Sequence, residues 1–284
     1  MKKRIISKLE IKGPNLVKGI NLEGLRVLGK PSFFAKSYYQ DGIDELFYMD
    51  VVASLYGRNS LLNFIKLTAK NIFIPLTVGG GIKTLKDIRA ILRSGADKVA
   101  INSEAIKNKN LIKEAVQMFG SSTIVLQILA QKKLNGKYCC FIENGRQSTD
   151  IDPVDWAIEA EKMGVGEIII NAIHKDGTGS GFDDFLVKEI VKKTNIPVIA
   201  SGGAGSYSNI KNIFTETKVD AVCISSMFHY DLVKKEKKNL SSQKFSEGNI
   251  EFLKKNFPNY KGESCSIRNL KNFLSKNSVD CRLV

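Results

Sequence analysis

Three short loops are rich enough in glycine to bring backbone N–H groups against an anion. They are Gly79-Gly80-Gly81, the run Asp176-Gly177-Thr178-Gly179-Ser180-Gly181, and Ser201-Gly202-Gly203. Glycine permits the close approach, and a helix that starts just after such a loop adds a favourable dipole. Asn102-Ser103 and Ser225-Ser226 end two further apolar runs and bring amide or hydroxyl donors to the same anions. Gly81, Asn102 and Ser103 thus form one candidate phosphate site, and Gly177, Gly203, Ser225 and Ser226 a second. A ligand with a phosphate at each end would span the two. The only histidines are His174 and His229. His174 precedes the second loop and is either a ligand contact or a polar loop residue; His229 is expected to pack inside.

These loops need strands to hold them. Short β-rich runs fall at Arg4–Ile11, Glu45–Val52, Ile74–Val78, Lys98–Asn102, Thr123–Leu129, Glu167–Ala172, Val198–Ser201 and Ala221–Ser225. Most are continuously apolar, the pattern of parallel strands buried on both faces. Amphipathic segments of helical length lie between them. Leu85, Ile88, Ile91 and Leu92 share one helical face, with Gly95 as a stop; Pro153 opens a helix carrying Trp156, Ala157, Ala160 and Met163, with Gly164 as its stop. Eight strands alternating with helices predict an α/β fold, a single (β/α)8 TIM barrel over residues 1–284. An open doubly wound sheet is the alternative.

An internal repeat favours the barrel. IPLTVGGGIKTLKDI from Ile74 resembles IPVIASGGAGSYSNI from Ile196, and DELFYMD from Asp44 resembles GEIIINA from Gly166, both 122 residues on. ADKVAINS resembles VDAVCISS after a one-residue shift. Two halves of four βα units each make an eight-stranded barrel natural. Two stretches interrupt the rhythm. Asn-Gly pairs within Leu129–Arg146 mark a hairpin after the fifth strand. Residues 230–263 are lysine-rich and read as a surface insertion before a last helix over Ser264–Lys276.

The net charge is +14, yet no nucleic-acid motif or aromatic stacking pattern accompanies it, so a solvated surface and attraction of anionic ligands account for the sign. No apolar run approaches the roughly 20 residues that span a membrane. The opening MKKRIISKLEIKG reads as a first strand rather than a signal peptide, and a cytoplasmic location is expected. The five cysteines have no metal-ligand spacing and read as reduced thiols. No metal or redox cofactor is expected.

The motifs KRII, LVKG, DELFYMD, IPLTVGGGIKT, GADKVAIN, DGTGSG and IPVIASGGAG, and the Ser-Met-Phe-His end of strand eight, resemble the cyclase subunit family of imidazole glycerol phosphate synthase. The resemblance runs from about Lys3 to Tyr230 and resumes in the last helix and VDCRLV. It implies a barrel that receives ammonia from a glutaminase partner at its amino end and uses it on a phosphorylated ligand at its carboxyl end. The family's phosphate-binding positions match Gly81, Asn102, Ser103, Asp176, Gly177, Gly203, Ser225 and Ser226. Its flexible-loop lysine matches Lys18. Its ammonia gate matches Arg4, Glu45, Lys98 and Glu167, and its partner-activating acid matches Asp97.

Two catalytic aspartates of the family do not carry over. One stands as Glu10, in LEIK where the family has a pattern like LDVK. The other stands as Leu129, in QILAQ where the family has a pattern like AIDAK. A glutamate can titrate; a leucine transfers no proton. The candidate catalytic set is therefore Glu10, Lys18, Asp50 and Asp176, the last two as replacement acids. The openings LEIKGPNLVKG and MDVVASLYGRNS and the extended segment after strand eight resemble a branch associated with amidation of bacterial surface sugars. That branch implies an ammonia-supplying barrel with a separate sugar amidotransferase as a further partner. The expectations are thus a subunit for glycan amidation, or an ordinary histidine-pathway cyclase with compensating acids, or a non-catalytic barrel that activates a glutaminase.

Overall fold

The computed structural model describes residues 2–53, 61–236 and 260–283. Strand β1 (Arg4–Lys12) leads into a hairpin of β2 (Asn15–Ile20) and β3 (Glu23–Gly29). Strands β4 (Glu45–Asp50), β5 (Leu76–Gly79), β6 (Lys98–Ile101) and β7 (Ile124–Lys132) follow, then a second hairpin of β8 (Tyr138–Ile142) and β9 (Gln147–Ser148). Strands β10 (Glu167–Ala172), β11 (Val198–Ser201) and β12 (Ala221–Ile224) complete the sheet. Eight of these are parallel and closed in the order β1-β4-β5-β6-β7-β10-β11-β12, with β12 paired back to β1. They are the eight strands expected, within three residues at each end, and helices lie between them: the chain is a (β/α)8 barrel.

Period-two alternation places the chemistry. On β1, Ile5, Leu9 and Ile11 pack outward beneath the helices, while Ile6 joins an interior layer with Phe47, Ala100, Val125, Ile169, Ile199 and Ala221. Arg4, Lys8 and Glu10 share the inward face with Ile6. The barrel thus holds a charged layer at each end of an apolar one. Fully burying each large side chain of that middle layer contributes about 1.5–3 kcal/mol.

The repeat is visible in the local hydrogen bonding. Asp97 accepts from the Leu76 amide at 2.8 Å, and Asp220 accepts from the Val198 amide at 3.0 Å. Thr84 caps the helix Leu85–Arg93 by accepting from the Asp87 amide, and Ser206 caps Tyr207–Thr217 by accepting from the Asn209 amide. The helix Pro153–Lys162 is capped by Asp152 and buries Trp156, Ala157 and Ala160.

The β2–β3 hairpin is absent from the sequence expectations. Its two-residue turn, Asn21-Leu22, has both φ angles positive, at 53° and 65°. Asparagine adopts that region readily, but leucine does so rarely. Leu22 is held there by burial at the barrel mouth, against Leu129 and Ile173. The hairpin after β7 was expected, and β8 and β9 form it.

Of the lysine-rich stretch 230–263, residues 237–259 lie outside the described residues. Residues 230–236 continue the helix Ser226–Glu236, and Tyr230 and Val233 face its buried side. At the other end, Lys261 donates its amide to Thr178 at 3.1 Å and Glu263 donates to Gly205 at 2.6 Å, beside the glycine loops. The last helix is Ile267–Lys276, capped by Ser266.

Candidate active site at the carboxyl end of the barrel

Four charged side chains close a ring at the carboxyl mouth. Lys8 lies 2.9 Å from Glu10 and 3.0 Å from Asp176; Lys18 lies 2.7 Å from each of the same two carboxylates. All four are buried. Burial works against a charged Asp176, but the Lys18 and Lys8 ammonium groups outweigh it and hold the carboxyl well below the usual range. Burial likewise opposes charge on Lys8, and Asp176 and Glu10 reverse it. Sequence reasoning had three members of this ring and missed Lys8. The signal was present: RIISKLEIK alternates, so residues 4, 6, 8 and 10 share a face.

The β2–β3 hairpin delivers Lys18 to this ring. Its turn is tied to the site, because the Asn21 amide donates to the Asp176 carbonyl at 2.8 Å. Gly177 has φ of 75°, and a Cβ there would run into the Gly19 carbonyl of β2. This glycine therefore serves the approach of the hairpin as well as the loop. Asp50 is not in the ring. Its Oδ1 accepts from the Val52 and Ala53 amides at 3.0 and 2.9 Å.

Two pockets flank the ring. The first is lined by Gly81, Asn102 and Ser103, with Lys83 and Lys107. The second is lined by Gly177, Gly203, Ser225 and Ser226, with Lys8 and Asp176. They occupy corresponding places in the two halves. Gly203 has φ of 104°, and a Cβ there would meet the Gly181 carbonyl; only glycine lets these two loops close around the second pocket. Asn102 donates its Nδ2 to the Phe141 carbonyl at 3.2 Å, and its Oδ1 has no hydrogen-bond partner among the described residues. Crystals grown in phosphate are expected to hold one anion at Gly81/Asn102 and another at Gly203/Ser226; anions found only at the opposite face of the barrel would contradict this.

Leu129 ends the inward row of β7 and is 2% exposed. It packs with Leu22 and Ile173, with Phe141 against them. Position 129, opposite Glu10 across the mouth, therefore carries an apolar side chain in place of a titratable one. His174 Nε2 lies 3.2 Å from Asp183, at the edge of the site. His229 is fully buried and stacks on Tyr38, whose hydroxyl meets its Nδ1 at 2.5 Å.

A second ring closes the amino end. Arg4 pairs with Glu45 at 3.1 Å and with Glu167; Lys98 pairs with Glu45 at 3.2 Å and with Glu167 at 2.9 Å. Thr77 donates to Glu45 at 2.6 Å. The charges alternate around the opening, each from the first residue of its strand. Asp97, next to Lys98, is exposed on this face. Among the described residues no group of three or more His, Cys, Asp or Glu is placed to hold a metal ion. No helix among them is long and apolar enough to cross a membrane.

Comparison with known proteins agrees with this geometry. A family model described as "Histidine biosynthesis protein" matches residues 4–234. A protein of Legionella pneumophila named imidazole glycerol phosphate synthase subunit HisF is 54% identical over 202 residues, covering 71% of this chain and 95% of that one. HisF subunits of Alkaliphilus metalliredigens (strain QYMF) and Bacillus cereus (strain G9842) are 42% and 44% identical, over 81% and 80% of this chain and 92% and 90% of their own lengths. The chain belongs to the histidine biosynthesis protein family, as a relative of the imidazole glycerol phosphate synthase subunit HisF.

Proposed function

We propose that this chain is the ammonia-receiving, cyclase-type subunit of a glutamine amidotransferase of the imidazole glycerol phosphate synthase kind. One observation carries the reading: a single barrel has a closed ring of alternating charges at its amino end and a pair of glycine-lined pockets at its carboxyl end. Ammonia from a glutaminase partner would enter through Arg4, Glu45, Lys98 and Glu167. The apolar layer of Ile6, Phe47, Val125 and Ile169 lies beyond them, and an apolar path would favour neutral ammonia over an ion. Gly81, Asn102 and Ser103 would hold one phosphate of the ligand, and Gly177, Gly203, Ser225 and Ser226 the other. Glu10, Lys18 and Asp176 then face the ligand between its phosphates. Lys18 is placed to stabilise negative charge, and the two carboxylates to accept protons.

The names of the relatives support the histidine pathway over surface-sugar amidation. The test is complementation of a histidine auxotroph that lacks its own cyclase subunit. Slow growth that Leu129→Asp accelerates is the expected result; no growth from a well-folded protein would count against it. Leu129 favours a second reading, since an apolar cluster stands where the resemblance expects a proton-transferring aspartate. In that reading ammonia passes to a separate sugar amidotransferase, or the barrel only activates its glutaminase.

Asp97 and the amino-end ring are the proposed contact with the partner. Co-expression with a glutaminase encoded beside this chain is expected to give a complex that co-elutes in size-exclusion chromatography at micromolar concentration. Separate elution of two folded proteins would count strongly against the partner assignment.

A further inference from the structure

The first anion pocket has a wall that phosphate binding does not use. Gln127 from β7 and Asn144 from the tip of the β8–β9 hairpin line it, next to Asn102, Met49 and Leu129. Gln127 is 2% exposed and Asn144 8%. Gln127 Oε1, Asn144 Nδ2 and Asn102 Oδ1 have no hydrogen-bond partner among the described residues. Asn102 is held through its Nδ2, which donates to the Phe141 carbonyl at 3.2 Å. Buried polar atoms are nearly always paired in native proteins, so three unpaired carboxamide atoms around one cavity need an explanation. A ligand that supplies the missing partners is the direct one.

The hairpin is fastened so that Asn144 stays over the pocket. The Glu143 amide donates to Ser103 Oγ at 2.9 Å, and Lys107 pairs with the Glu143 carboxylate at 2.5 Å. Glu143 and Asn144 both have positive φ, at 52° and 53°. The chemistry of the wall differs from that of the phosphate loops. Carboxamides carry no charge and both donate and accept, so they match a hydroxyl, an amide or a ring nitrogen. Leu129 and Met49 beside them suit the apolar face of a flat or sugar-like group.

We infer that Gln127 and Asn144 form a specificity subsite for the uncharged polar part of the phosphorylated ligand, beside the phosphate held at Gly81 and Ser103. The inference rests on the proposed phosphate-binding role of this pocket and adds which part of the ligand is read there. A site built to pair such groups discriminates against ligands that lack them, because its own buried carboxamides are then left unpaired.

Calorimetric titration with inorganic phosphate, ribose 5-phosphate and imidazole glycerol phosphate tests this on the full chain. The wild type is expected to bind at least one organic phosphate more tightly than inorganic phosphate. Gln127→Leu and Asn144→Ala are each expected to weaken that organic phosphate by about five- to tenfold while leaving inorganic phosphate unchanged. Equal affinities for all three probes in the wild type would overturn the subsite. So would variants that keep the organic affinity, or that lose both classes in proportion as a merely structural change would. Side-chain amide NMR on the wild type needs no variant: the Gln127 and Asn144 NH₂ signals should move with the organic probe and stay still with inorganic phosphate, and unmoved signals would overturn the subsite. Tighter binding of ribose 5-phosphate alone would leave the subsite standing and remove the histidine-pathway reading. If no probe binds, the phosphate reading and the subsite fall together.

Discussion

Leu129→Asp is expected to raise ammonia-dependent cyclisation of the ribulosyl phosphate intermediate by about 10²-fold, the lower end of what general acid–base catalysis contributes. β7 lies opposite β1, with three barrel strands between them on either side. A ligand spanning the two glycine-lined pockets would therefore have Glu10 on one side and residue 129 on the other. Proton transfer on both faces needs a titratable group at each, and the wild type has one. An aspartate at 129 would sit against Leu22 and Ile173; burial raises its pKa towards neutrality, which suits a general acid. The same burial costs stability. Losing the leucine contacts alone costs about 2–5 kcal/mol, so a melting temperature lower by roughly 5–15 °C is expected. Adding Glu10→Asp should raise turnover further, because the shorter side chain draws the carboxylate back from Lys8 and Lys18. Added ammonium salt in the assay removes any dependence on a glutaminase. Wild-type turnover equal to that of an ordinary cyclase would refute the expectation. Alanine variants of Asp176 and Asp50 would then identify the working acid, and the geometry favours Asp176, since Asp50 is engaged with two backbone amides.

Lys8→Met is expected to destabilise the fold by about 3–5 kcal/mol, the usual cost of removing one partner from a buried ion pair. For a chain of this size that lowers the melting temperature by roughly 6–20 °C. The cause is the pair of carboxylates left behind: Glu10 would keep Lys18 alone, and so would Asp176. Lys8→Met with Glu10→Gln removes one charge of each sign and should recover more than half of the loss. A double-mutant cycle by thermal or urea denaturation measures it, and additive single effects would show that the ring is not coupled. The pH dependence has two limbs. His229 is lowered to about 3 by burial, aided by Lys18 and Lys8. A group depressed on folding contributes stability above its unfolded pKa, so this contribution is full above about pH 6.5 and is lost as pH falls towards 3, by about 1.4 kcal/mol per unit. Asp176 is also depressed, so its contribution is full above about pH 4 and is lost below that. Stability should therefore be level near neutrality and fall in two stages in acid. The lower stage should shrink in Lys8→Met.

Much of this molecule was legible along the chain. Continuous apolar runs named the eight strands, since parallel strands buried on both faces carry no polar side. The repeat at 122 residues pairs the loops of Gly81 and Gly203 from the sequence alone. The amino-end ring was implied by the family resemblance, and the structure makes each member the first residue of a strand, which puts all four at one end of the barrel. What the sequence could not decide is which inward-facing residues meet across the barrel. Periodicity assigns a face, whereas a partner depends on strand stagger and on loops that reach over the mouth. Lys18 and Asp176 are 158 positions apart and meet only because the β2–β3 hairpin folds back. That hairpin escaped notice because its turn holds a leucine in a left-handed conformation, a choice only tertiary burial can stabilise. The pocket beneath Asn144 has the same origin: Gln127 looked like one polar residue in a strand, and closure of the barrel under a hairpin made it part of a site.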